Sequence, residues 1–279
     1  MTDRKSLVLG GGGLAGIAWL TGLLAGFEAE GVAVAGTADQ VVGTSAGSTV
    51  AGQLASGLPL TELYHRQSEP TLQNAELTPD PATVATLTAV WGKLVEETVD
   101  PVELRRSVCE MALAAETVSE PARREVIEGR LPRHDWPAWP LTLVAVDAGT
   151  AEEVLIDRES GVGLVDAVAA SCAVPGIWPP VSVDGSRYVD GGVRSSANAD
   201  LAEGGRVLVL APLPDEALTA QVAALEARGA AVLAVTPDEA SAAAFGVNPL
   251  DPAVRTPAAE AGLAQGRRIA AQVAEVWGR

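Results

Sequence analysis

Three features of this chain have the residue types and spacing for acyl-transfer chemistry: a serine between glycines, a run of glycines, and an aspartate followed by glycines. The serine is Ser45, in Gly43-Thr44-Ser45-Ala46-Gly47, directly after the apolar pair Val41-Val42. A serine at the tip of a tight strand-to-helix turn is forced into a strained backbone, and only small neighbours avoid a clash there. Gly43 and Gly47 meet that need. The helix expected from Ala46 to about Ser56 would aim its positive end at the hydroxyl. The same five residues also fit a plain glycine-rich turn with an incidental serine, so the partners must decide.

The glycine run, Gly10 to Gly13, ends a short apolar strand (residues 6–9) and precedes an apolar helix reaching about Glu30. Two uses compete for it. Gly11-x-Gly13-x-x-Gly16 fits the dinucleotide-binding fingerprint, which also needs an acidic residue closing the second strand. Here the second strand (39–43) closes with Gly-Thr-Ser, and Asp39 precedes its apolar part. The alternative is an oxyanion hole, in which the N–H groups of Gly11, Gly12 and Gly13 point at a developing negative charge. If the two strands are parallel neighbours, both loops emerge at one sheet edge and the glycines face Ser45.

A base completes the set. Residues 181–189 read as a hairpin around the Asp184-Gly185 turn, and its second strand delivers Asp190-Gly191-Gly192. The two histidines, His65 on a charged helix face and His134 in a polar loop, read as solvated surface residues. An aspartate acting on Ser45 would therefore contact the hydroxyl directly, as a Ser-Asp dyad in a water-poor site. The plainer role for Asp190 is a turn aspartate bonding nearby N–H groups. A Ser-Asp-His triad in α/β-hydrolase order needs a late histidine, and none follows His134.

The elements that must position these residues read as an α/β fold: a three-layer sandwich around a mostly parallel central sheet, in a single domain spanning 1–279. Buried strands are expected at 141–146, 206–210 and 230–235, with a shorter one at 153–156. A small-residue helix covers 165–173, and an amphipathic helix closes the chain at 258–277. Residues 59–135 form a helical insertion broken at Pro70, Pro79, Pro81, Pro101 and Pro121. Within it Thr86, Leu87, Val90, Trp91, Leu94 and Val95 make an apolar stripe, read first as a layer covering the sheet, while the insertion as a whole could form the wall or lid of an apolar pocket.

The formal charge of −17 argues against nucleic acid and against docking on anionic membranes. No segment has membrane-spanning length, so at most transient membrane contact is expected. Cys109 and Cys172 form no framework and no metal-ligand spacing, which predicts free thiols, no metal and a reducing, cytoplasmic setting.

Jointly, Gly-Gly-Gly-Gly-Leu-Ala-Gly (10–16), Gly-Thr-Ser-Ala-Gly (43–47), Ala-Ser-Cys-Ala-Val-Pro-Gly (170–176) and Asp-Gly-Gly (190–192) resemble the patatin-like phospholipases, in family order. The resemblance implies a patatin-like fold, Ser45 as nucleophile, Asp190 as its base, and Gly11, Gly12 and Gly13 as oxyanion donors. It also implies a lipid or small acyl-ester substrate and no cofactor. One position departs: Ala15 stands where members of the family usually carry Arg or Lys. That departure keeps a second reading open, a catalytically weak or silent binding protein of the same fold.

Overall fold

The computed structural model describes residues 3–278, the side chain of Thr88 excepted. Strand β1 (Lys5–Leu9) leads into α1 (Gly13–Ala29), and β2 (Gln40–Thr44) leads into α2 (Ala46–Leu54). Four helices follow: α3 (Leu60–Ser68), α4 (Pro81–Glu97), α5 (Pro101–Ala114) and α6 (Glu120–Arg130). Then come β3 (Leu141–Asp147), β4 (Glu153–Ile156), α7 (Leu164–Ser171) and the hairpin β5 (Val181–Val183) and β6 (Ser186–Asp190). The chain closes with β7 (Arg206–Leu210), α8 (Glu216–Ala227), β8 (Ala231–Val235), α9 (Glu239–Ala244) and α10 (Arg255–Trp277).

One sheet is linked by successive pairings β5-β6-β3-β2-β1-β7-β8, with β4 along the other edge of β3. The pairs among β3, β2, β1, β7 and β8 are all parallel, whereas β4, β5 and β6 run antiparallel to their neighbours. Successive strand residues point to opposite faces. Leu7 and Leu9 accordingly join the core under α1 and α10, while Val8 joins a second core with Leu218 and Leu225 of α8. The sheet is thus sandwiched between two helical layers, the fold expected from the chain's alternating elements.

Helix α1 is buried from Leu14 to Phe27, apolar all round, which is only stable between two layers. Its outer partner is α10, reached through glycines on both helices. A Cβ at Gly22 would overlap the Ala259 carbonyl, and one at Gly262 would overlap the Trp19 carbonyl. This backbone-to-backbone crossing seats the first strand-helix unit firmly. The insertion behaves differently. Helices α4, α5 and α6 begin with an Asp or Ser cap and a proline in the first turn: Asp80-Pro81, Asp100-Pro101 and Ser119-Glu120-Pro121. Helix α4 is mostly exposed, and its half-buried stripe is Val84, Leu87, Trp91 and Leu94. Thr86, Val90 and Val95, expected on that stripe, face outward instead.

Element ends shift where tertiary contacts override local signals. Strand β2 starts at Gln40 because the Asp39 carboxylate caps the neighbouring strand, accepting the Lys5 N–H at 2.7 Å. Helix α10 starts at Arg255, ahead of the expected Ala258, since Arg255 is buried and held by Gln67 and Asn74.

Candidate active site

Ser45 forms the corner between β2 and α2, with φ 54° and ψ −113°. A non-glycine residue there costs on the order of 1–3 kcal/mol and persists only when surrounding contacts overdetermine it. Those contacts are on hand. The Ser45 N–H donates to Ser171 Oγ at 3.0 Å, Ser171 Oγ donates to the Val144 carbonyl at 2.6 Å, and Ser48 Oγ lies 2.6 Å from Ser171 Oγ. Cys172 Sγ donates to the Ser45 carbonyl at 3.0 Å. Ser171 is thereby fully satisfied, one donor and two acceptances, and it clamps the corner from 126 residues away in sequence. Its motif is legible in the sequence; its role is not.

The flanking glycines are dictated by space. Gly47 presses on β1, where a Cβ would overlap the Leu9 carbonyl, and its N–H donates to the Gly10 carbonyl at 3.1 Å. A Cβ on Gly43 would meet the Ser48 Cα at 2.9 Å, beneath the first turn of α2.

Strand register brings Asp190 to the same corner. Val144 pairs with both Thr44 and Leu155, and Ala145 with both Val154 and Asp190. A residue has one partner on each side, so β2 and β6 share one edge of β3 and meet end to end. Thr44 lies opposite Val144 and Asp190 opposite Ala145, which brings the aspartate to the point where β2 turns into Ser45. Asp190 is buried; its Oδ1 accepts the Gly192 N–H at 2.7 Å, while Oδ2 makes no hydrogen bond of ordinary geometry. Burial raises its carboxyl pKa to about 6, and the Ser45 hydroxyl is the first of the groups that pull it back down. Asn198, in the left-handed region at φ 51°, ties the two strand ends together by donating to Thr44 Oγ1 at 3.0 Å and to the Gly191 carbonyl at 3.2 Å. Nothing in its sequence context signals that role.

The glycine loop divides its N–H groups. Gly10 donates to the Leu210 carbonyl and Gly11 to the Ser196 carbonyl, at 2.9 and 2.8 Å. Gly11 is therefore a correction to the expected donor set, because its N–H is already committed to the protein. Gly12 and Gly13 have no protein acceptor for their N–H groups among the described residues. The space beside them is filled by the protein: a Cβ on Gly12 would lie 2.5 Å from Pro212 Cβ, and one on Gly13 2.8 Å from the Pro249 carbonyl. The Cβ side of each glycine is thus taken up by neighbouring chain, and Asp39 caps the opposite end of the sheet at Lys5. The dinucleotide reading lacks the acidic partner it requires.

An apolar cleft of about 320 Å³ opens over these groups, lined by Gly12, Ser45, Asp190, Trp91, Val174 and Leu213. Trp91 comes from α4, whose Leu87 lies over Gly176. His65 and His134 are about half exposed and lie 3.6 Å from Glu69 and Glu128, away from the cleft lining. Cys109 and Cys172 are free and buried, and burial raises both thiols to about 11. Among the described residues no group of three or more His, Cys, Asp or Glu is placed to hold a metal ion.

A family model described as patatin-like phospholipase matches residues 7–203. No curated protein sequence matches the chain. Among solved structures, VipD from Legionella pneumophila is 15% identical over 97% of this chain and 67% of its own, with a TM-score of 0.49. The type III effector protein ExoU is 17% identical over 97% of this chain and 53% of its own, TM-score 0.42. In the ExoU-SpcU complex from the type III secretion system of Pseudomonas aeruginosa, the values are 16%, 98% and 52%, TM-score 0.44. The chain thus spans about half the length of the two ExoU chains.

Proposed function

The chain belongs to the patatin-like phospholipase family, and from that premise we propose a serine hydrolase of lipid acyl esters, with Ser45 as nucleophile, Asp190 as base and the Gly12 and Gly13 N–H groups as oxyanion donors. The observation that carries this reading is a buried carboxylate oxygen without a partner, Asp190 Oδ2, sharing one cleft with a serine held in a strained corner. A carboxylate of pKa about 6 is a better base than a solvated aspartate and is still mostly ionised at neutral pH.

In the proposed reaction Ser45 Oγ attacks the ester carbonyl carbon as its proton passes to Asp190 Oδ2. The carbonyl π pair moves onto oxygen, facing unpaired backbone N–H groups at the start of α1. When the tetrahedral species collapses, the bond to the alkoxy group breaks and the alcohol leaves with the proton from Asp190. Water then attacks the acyl carbon, giving its proton to Asp190; on collapse the bond to Ser45 Oγ breaks, Oγ takes that proton back from Asp190, and the acid leaves. The apolar cleft suits the acyl chain. No helix among the described residues is long and apolar enough to cross a membrane, so the substrate is met at or near a lipid surface or free in solution. The proposal extends to a reducing, cytoplasmic setting, on the two buried free thiols.

A fluorophosphonate probe tests the reading. Wild type is expected to label and to hydrolyse a panel of p-nitrophenyl esters and phospholipids, and Ser45→Ala to do neither. A folded wild type that neither labels nor turns over any ester overturns it in favour of a silent binding protein.

A further inference from the structure

Arg123, on α6, is 5% exposed, yet its Nε and Nη1 have no hydrogen-bond partner. Its guanidinium stacks on Trp178, with Cζ 4.0 Å from the ring centroid, so its plane is fixed. The other two buried arginines nearby are satisfied. Arg130 holds Glu76 through two bonds of 3.0 and 2.6 Å, and Arg255 is bonded to Gln67 and Asn74. Glu76 is fully used by Arg130 and Asn74, with Arg255 3.9 Å away. Two buried guanidiniums, Arg130 and Arg255, therefore hold one buried carboxylate, Glu76, and the third, Arg123, is left over, inside a chain whose formal charge is −17. A buried charged group without partners is strongly disfavoured unless something completes it.

What completes it is indicated by the space in front of it. Arg123 lines a small cavity that shares Ser45 and Gly13 with the cleft, together with Ala46, Glu76, Cys172 and Trp178. Gly13 and Ala46 are the first residues of α1 and α2, and their N–H groups have no protein acceptor among the described residues. Neither α1 nor α2 carries a cation anywhere along its length, since Ala15 is an alanine and fully buried. The cavity measures about 20 Å³, room for roughly one water-sized group, and a whole phosphate is too large for it. That is the size of a single oxygen atom of a molecule lying in the cleft.

Resting on the reading of Ser45 as nucleophile, we propose that Arg123 is a catalytic residue, the cationic member of the oxyanion site. Its guanidinium meets the negative charge that forms on the carbonyl oxygen when Ser45 attacks, beside the N–H groups at the starts of α1 and α2. Burial and the neighbouring Arg130 bring Arg123 down to about 9, still a cation at neutral pH. The cation also acts on Asp190, helping to hold its carboxyl down against burial. An insertion helix thus supplies a charge that the glycine loop lacks.

The test is steady-state kinetics on p-nitrophenyl butyrate, a neutral ester, with melting curves for every variant. Arg123→Met should lower kcat about 100-fold while KM stays within about threefold. Arg123→Lys, which keeps the charge and safeguards against misfolding of the first variant, should melt like wild type and have an intermediate kcat. The acid limb of the kcat/KM profile should move upward in Arg123→Met, because Asp190 loses a neighbouring cation. Unchanged kcat in both variants overturns the proposal, as does a rise in KM confined to anionic esters, which would make Arg123 a reader of substrate charge. If wild type itself turns over no ester, the nucleophile reading fails and sodium formate decides the site separately. Formate should then raise the melting temperature of wild type and Ser45→Ala but not of Arg123→Met; equal effects on all three sink the oxyanion site.

Discussion

The two walls of the Ser45 cleft are built on different principles. On the strand-end wall, β1, β2 and β6 meet through backbone contacts with no slack: Gly47 against the Leu9 carbonyl, Ser45 clamped by Ser171, Asp190 in register with Ala145. On the insertion wall, α4 and α6 reach the cleft with side chains only, Trp91 and Arg123, and α4 is largely exposed. The first wall sets where bonds are made, and the second sets what surrounds them. Changes on the first should therefore be nearly all-or-none, and changes on the second graded.

The most severe effect is expected from the least conspicuous change. Gly47→Ala places a methyl into the Leu9 carbonyl, and β1 and α2 have no room to retreat, being buried over Ser6 to Leu9 and Ala46 to Gln53. Overpacking against backbone should cost at least about 3 kcal/mol, read as a lowered urea midpoint, and should abolish probe labelling of Ser45. A variant melting like wild type would show that the strand-end wall has slack after all.

Next comes Asp190→Asn. Loss of a general base typically removes 10²–10⁴ in rate, so turnover should fall about 10³-fold while the protein stays folded. Retention of more than about a tenth of the activity would locate the base elsewhere. The pH dependence has a definite sign. Burial disfavours the charged form and pushes the folded carboxyl up to about 6, from an ordinary value of 3.8. Below 6 the base is protonated, so kcat/KM should fall as pH drops through that value. Stability moves the other way. Between 3.8 and 6 the native state binds more proton than the unfolded chain, so the penalty for burying the charge is complete above 6 and relieved as pH falls to 3.8. Asp190→Asn should therefore gain stability over wild type above pH 6 and lose that advantage in acid.

These contrasts follow what could be read along the chain. Turns announce themselves locally, so Gly43 to Gly47, the Asp184-Gly185 hairpin and the proline breaks between the insertion helices are legible, whereas the parallel pairing of the first two strands is a condition that only the register meets. Contacts between distant segments leave no local trace. Ser171 and Asn198 reach the elbow from more than a hundred residues away, and Ser196 takes the Gly11 N–H that local reasoning assigns to an oxyanion. The α1-α10 crossing is similarly hidden, since glycine spacing on one helix has no meaning until the other lies across it. Arg123 is the extreme case. Within Pro-Ala-Arg-Arg-Glu it is one of two adjacent arginines, and helix geometry turns Arg123 inward while Arg124 pairs with Asp166 at the surface.

The mildest effect should come from Trp91→Ala. Trp91 is half-buried on α4, and its ring contributes to the apolar cleft; the helix around it is mostly exposed. Removing the ring opens no sealed core, so stability should change by no more than about 0.5 kcal/mol. What it removes is apolar surface that an acyl chain would cover, and such surface acts only on chains long enough to reach it. Decanoyl esters should lose about fivefold in kcat/KM, and butyryl esters should be nearly unaffected. An equal loss for both chain lengths would mean that α4 acts on Ser45 through the backbone, as the strand ends do, and the distinction between the two walls would fall.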